Sequence, residues 1–79
     1  MLKRKLKIKN KAGLHARLAS AFVKKADQFE AEINIQFADK EINGRSIMAL
    51  ISLGLKKDAE IILKTEGKDE KKALEELSY

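Results

Sequence analysis

The chain has 79 residues, of which 17 are basic and 12 acidic, giving a formal net charge of +5, and 44% are hydrophobic. Cysteine is absent and histidine occurs once, which excludes disulfides, thiolate metal sites and a multi-histidine zinc centre. No apolar run approaches the roughly 20 residues of a membrane span, and residues 1–9 alternate lysine with apolar side chains instead of forming a signal-peptide core. The expectation is a soluble, cytoplasmic chain of one domain, residues 1–79, with no metal and no cofactor.

Leu2, Leu6 and Ile8 alternate with Lys3, Lys5, Lys7 and Lys9, the period of a strand with one buried and one wet face. Arg4 interrupts the apolar side, which predicts a position near a sheet edge or end. Asn10 to Leu14 reads as a loop, with Gly13 free to take a backbone angle that other residues resist. From Ala16 the spacing turns helical. Ala19, Phe22, Val23, Ala26 and Phe29 form the apolar stripe, with Lys24, Lys25, Asp27 and Gln28 on the outer side.

Ile33, Ile35 and Phe37 alternate again, so residues 32–38 read as a second strand. Asp39-Lys40 is the expected turn, and Glu41-Ile42-Asn43 the returning third strand of a hairpin that lacks the favoured Asn-Gly pair. Ser46 as N-cap and Gly54 as stop frame a short helix of about two turns. That helix is apolar on more than one side, so something besides the core is expected to meet the surplus; of Ile47, Met48 and Ile51, at least one is expected to be core.

Ala59 to Thr65 supplies a fourth strand with Ile61 and Leu63 facing inward. Gly67 breaks it, and Asp69 is placed to cap a last helix with Ala73, Leu74 and Leu77 on one face. The order β-α-β-β-α-β-α predicts an α+β, two-layer open-faced sandwich. Its four-stranded antiparallel sheet is covered on one face by three helices and leaves the lysine-rich face in water.

Chemistry concentrates in Ala12-Gly13-Leu14-His15-Ala16-Arg17-Leu18, which holds the sole histidine at a predicted helix entrance. The unpaired N–H groups of Ala16, Arg17 and Leu18, with the positive pole of the helix dipole, favour an anion there. Arg17 adds a permanent cation with a planar fork of donors suited to phosphate oxygens. Imidazole is a nucleophile near neutral pH, and phosphoryl transfer needs chiefly positioning and charge compensation. Taken without its neighbours, a histidine at a helix start is a cap or a packing residue. Ser46 needs no more explanation than its cap.

The chain resembles the histidine-containing phosphocarrier (HPr) family of the bacterial phosphotransferase system. The likeness rests on Gly13-Leu14-His15-Ala16-Arg17, on Ser46-Ile47-Met48 followed by Leu53-Gly54, and on the element order. It implies that His15 accepts a phosphoryl group from phosphoenolpyruvate-charged Enzyme I, that Arg17 stabilises it, and that it passes to the IIA component of sugar transporters. Ser46 would match a serine modified by a regulatory serine kinase and reset by a phosphorylase. Leu14, Ile47, Met48 and Ile51 would dock partners, a transcriptional regulator among them. The family usually has proline where this chain has Leu18, which leaves the rigidity of the loop and the match to Enzyme I open. The last helix ending at Tyr79 implies that contacts made through a longer C-terminus are missing.

A phosphocarrier, modified covalently and without a turned-over small substrate of its own, is the expected function. An HPr-like regulatory binding module controlled by Ser46, with histidine transfer weakened by Leu18, is the alternative. A small basic nucleic-acid binder has the net charge in its favour. Against it stand one tyrosine, and three phenylalanines at core-like positions. Neither nucleic acid nor membrane is therefore an expected partner.

Overall fold

The structure, a computed structural model, describes residues 1–78; the expected end of the last helix at Tyr79 lies outside the described residues. Seven elements follow one another as β1 (Leu2–Lys7), α1 (Ala16–Ala26), β2 (Glu32–Phe37), β3 (Lys40–Asn43), α2 (Ile47–Ser52), β4 (Glu60–Glu66) and α3 (Glu70–Leu77). The strands form one antiparallel sheet in the order β1-β4-β2-β3, with three helices on one face.

Register decides which side chains meet. Leu6 pairs with Ile61, Ile35 lies between Leu63 and Ile42, and Ile33 pairs with Thr65, so the alternating apolar positions of all four strands share one face. Ala19, Val23 and Ala26 of α1, Leu50 of α2, and Ala73, Leu74 and Leu77 of α3 close over that face. Ile33, Leu50 and Leu63 are fully buried, each worth roughly 1.5–3 kcal/mol relative to exposure. The other face carries Lys3, Lys5 and Lys7, with Lys5 paired to Glu60 at 3.5 Å and Lys64 bonded to Glu41.

Arg4 does sit on an edge strand. Opposite Leu63 on the helix-covered side, its guanidinium donates to Ser78 Oγ at 3.1 Å, beyond the end of α3. Thr65, the one buried polar side chain of the sheet, satisfies its hydroxyl by donating to the Glu70 carbonyl at 2.9 Å.

Four local expectations change. Phe29 is buried, yet α1 stops at Ala26. The N–H groups of Gln28 and Phe29 donate to the carbonyls of Lys25 and Ala26, the tighter i to i−3 pattern of a terminating turn. Lys40 pairs with Phe37, so the hairpin turn is Ala38-Asp39 and not Asp39-Lys40, with Ala38 at φ 54 where a hairpin needs a positive angle. Asp69 occupies the N-cap position of α3 but makes no capping bond; its carboxylate accepts instead from the N–H groups of Glu30 at 2.9 Å and Ala31 at 2.8 Å. Finally, none of Ile47, Met48 and Ile51 belongs to the core.

Candidate functional site

The approach to α1 is fixed before the helix begins. Asn10 Oδ1 accepts from the Ala12 N–H at 2.9 Å, the Gly13 N–H donates to the Asn10 carbonyl at 2.9 Å, and the Leu14 N–H donates to the Leu55 carbonyl at 3.0 Å. Gly13 is buried at φ 73, and a β-carbon there would lie 2.4 Å from the Leu55 carbonyl oxygen. Only glycine meets both demands. The partner segment is held in turn: Gly54 takes φ 62 after α2, the Ile8 N–H donates to the Ala59 carbonyl at 2.9 Å, and the Asp58 N–H donates to the Ile8 carbonyl at 2.7 Å.

This latch delivers His15 to the N-cap of α1 in an extended conformation, φ −110 and ψ 176. Its carbonyl accepts the Ala19 N–H at 2.9 Å, which opens the helix, while its imidazole makes no capping bond and stays half-buried. The N–H groups of Ala16, Arg17 and Leu18 have no acceptor among the described residues, as the first turn of a helix requires. No acidic residue occupies that turn, and Lys24 and Lys25 stand at the opposite end, where cations suit the dipole. Ala16 and Arg17 are exposed, and Leu18 is half-buried. Arg17 forms no ion pair among the described residues, so its guanidinium is uncommitted beside the histidine.

The second cluster lies on α2, which packs against α1. Asn43 Oδ1 accepts from the Arg45 N–H at 2.9 Å, turning the chain into the helix. Ser46 Oγ accepts from the Ala49 N–H at 3.2 Å, the cap read from sequence. Beyond it Ile47 is 37% exposed, Met48 75% and Ile51 37%. Leu14, grouped with them from sequence, is instead half-buried against the core.

Two structural contributors were not evident from sequence. Leu55 is the counterpart of the Gly13 latch, and the only hint was the glycine itself. Arg45 donates through Nη2 to the carbonyls of Phe29, of Ala31 at 2.9 Å and of Ala26 at 3.4 Å. No periodic signal could have found contacts spanning 14 to 19 residues. Among the described residues no three His, Cys, Asp or Glu side chains are grouped to hold a metal, and no helix is long and apolar enough to cross a membrane.

A family model described as the phosphorylation site of the phosphotransferase HPr component matches residues 2–79. The phosphocarrier protein HPr of Buchnera aphidicola subsp. Schizaphis graminum is 46% identical over 78 residues, 99% of this chain and 92% of that protein. The HPr-like protein Crh of Halalkalibacterium halodurans is 43% identical over 98% of this chain and 92% of its own length. Among solved structures, HPr of Thermoanaerobacter tengcongensis superposes with a TM-score of 0.93 at 40% identity, covering 98% of this chain and 86% of that one. With a family model matched over residues 2–79, relatives 43% and 46% identical over nearly the full chain and an open sandwich that superposes on a solved HPr, the protein belongs to the HPr phosphocarrier family.

Proposed function

We propose that His15 is a reversible phosphoryl acceptor, charged by phosphoenolpyruvate-phosphorylated Enzyme I and discharged onto IIA components of sugar transporters. The observation that supports this reading most directly is the imidazole at the N-cap, unbonded and half-exposed, next to three amides without acceptors. In the transfer an unprotonated ring nitrogen attacks phosphorus, the bond to the donor breaks and a phosphorus–nitrogen bond forms. The N–H groups of Ala16, Arg17 and Leu18 and the Arg17 guanidinium then face the added negative charge. Discharge reverses the same steps. Ile47, Met48 and Ile51, and Leu14 at the edge of the core, would meet the two partners in turn.

Incubation with Enzyme I and phosphoenolpyruvate is expected to give an acid-labile, base-stable phosphoprotein, and His15→Ala is expected to abolish it. Unchanged labelling of that variant removes His15 from the mechanism.

The full-length likeness to Crh, a protein named as HPr-like, favours a second reading in which Ser46 is modified by a serine kinase and reset by a phosphorylase. The modified form would then bind a transcriptional regulator. A phosphate on Ser46 would lie at a helix start, an electrostatically suitable place. Treatment with such a kinase and ATP tests it: absence of a mass increase lost in Ser46→Ala argues against this role.

A further inference from the structure

Between β1 and α1 the chain runs without a strand or a helix, so its amides must find acceptors outside any regular ladder. From Lys9 to Leu14, three do so among the described residues. The Ala12 N–H donates to Asn10 Oδ1 at 2.9 Å, the Gly13 N–H to the Asn10 carbonyl at 2.9 Å, and the Leu14 N–H to the Leu55 carbonyl at 3.0 Å. Both acceptors inside the loop therefore belong to Asn10. Its side chain closes one turn over the amide two residues on, and its carbonyl closes another over the amide three residues on. Asn10 is exposed and lies outside the hydrophobic cluster, so packing gives no reason for asparagine there.

The imidazole of His15 makes no capping bond and no ion pair among the described residues. Its place over the start of α1 is therefore inherited from the backbone that delivers it. That backbone passes through Gly13, the residue type with the widest conformational freedom, and the two bonds to Asn10 restrict it from the N-terminal side. We infer that Asn10 is a positioning residue for phosphoryl transfer: its carboxamide oxygen, through the Ala12 amide, holds the turn that keeps the imidazole in register with the free amides of Ala16, Arg17 and Leu18. Asn10 has this role only if His15 is the phosphoryl acceptor, as proposed above. Transfer requires the attacking nitrogen within about 3–3.5 Å of its target and aligned with it. A looser turn lowers the fraction of time spent in that geometry. It leaves the exposed side chains of Ile47, Met48 and Ile51, on a different element, as they were. The consequence is a slower transfer step with unchanged docking.

The test is single-turnover transfer from phosphorylated Enzyme I to the full chain, followed against chain concentration well below the melting temperature of every variant. Asn10→Ala removes the acceptor of the Ala12 N–H and is expected to lower the saturating rate about tenfold, with the half-saturating concentration unchanged. Asn10→Asp keeps an oxygen within reach of the same N–H and should restore the rate to within about threefold of the parent. Near-physiological ionic strength screens its added, exposed charge. Hydrogen exchange at the Ala12 amide should quicken in Asn10→Ala and stay slow in Asn10→Asp. A purely structural part for Asn10 would lower the melt of Asn10→Ala and leave the saturating rate of the folded protein untouched, which overturns the positioning role. So does an Asn10→Asp protein as slow as Asn10→Ala, or a loss confined to the half-saturating concentration. A parent protein that accepts no label removes the acceptor and its positioning together. A labelled parent with an equally fast Asn10→Ala variant removes the positioning alone.

Discussion

Arg45 and Asp69 grip the same residue from opposite sides: the Ala31 N–H donates to Asp69 Oδ1 at 2.8 Å, and the Ala31 carbonyl accepts from Arg45 Nη2 at 2.9 Å. The linker from α1 to β2, which has no regular structure to satisfy its backbone, is thereby tied to the starts of both α2 and α3. Charged partners make these stronger than neutral hydrogen bonds. Arg45→Met keeps the aliphatic stem but strands the carbonyls of Phe29 and Ala31. It is expected to cost about 2 to 3 kcal/mol, read as a fall in Tm and in the urea midpoint. The cycle with Asp69→Asn should be less than additive, since both substitutions free the same segment.

Asp69 also carries a pH dependence. The Glu30 N–H lowers its carboxyl below the ordinary 3.8, partial desolvation pulls the other way, and the Ala31 N–H and the Arg45 charge add to the lowering. A folded-state value below the unfolded one means that the carboxylate stabilises the fold fully above the ordinary carboxylate range. That contribution is lost as pH falls through the folded value. Acid unfolding of the parent protein should therefore show a loss below about pH 4 that Asp69→Asn flattens. Identical acid profiles would mean that Asp69 does not carry it.

Gly13 is where conformation and space coincide. Gly13→Ala places a methyl 2.4 Å from the Leu55 carbonyl oxygen at a backbone angle of φ 73. The segment must shift and the Leu14 bond to Leu55 with it. A destabilisation of roughly 1–3 kcal/mol is expected, together with slower phosphorylation of His15, because the helix start loses its fixed approach. Wild-type labelling in a destabilised Gly13→Ala protein would separate the latch from the chemistry.

How far the sequence reached depends on the range of each interaction. Strand and helix periods are local, so the seven elements and their order could be read from alternation and from the stripe of Ala19, Val23 and Ala26. Ser46 and Gly54 follow the same logic, because a cap is decided within four residues. Phe29 misled because a buried residue just past a helix end keeps the helical spacing. Asp69 misled because a carboxylate at an N-cap position has local donors within reach, and only the fold reveals that Glu30 and Ala31 outcompete them. The exposure of Ile47 and Ile51 depends on how α2 tilts over the sheet, which no pattern within six residues can specify.

Ser46 offers a graded test of the second cluster. Ser46→Ala removes the acceptor of the Ala49 N–H and is expected to cost about 1 kcal/mol. Ser46→Asp supplies a carboxylate acceptor at the same helix start and should retain most of that stability. If charge at this position governs association with a regulator, Ser46→Asp should change binding while Ser46→Ala resembles the unmodified protein. Equal binding by all three would leave Ser46 with its structural role alone.

Leu18 is the third residue of α1, where the backbone N–H has no acceptor among the described residues. Leu18→Pro therefore removes no helical hydrogen bond, and a proline in the first turn is compatible with the dihedral angle that the helix requires. It would remove one of the three acceptor-free amides proposed to receive the phosphoryl group on His15. The folded state should persist with a change in stability of less than about 1 kcal/mol. Labelling by Enzyme I should stay within about threefold of the parent, since two amides and Arg17 remain. A rate that rises tenfold instead would mean that leucine at this position restrains the transfer, and that the stiffness of the first turn matters more than the number of its donors.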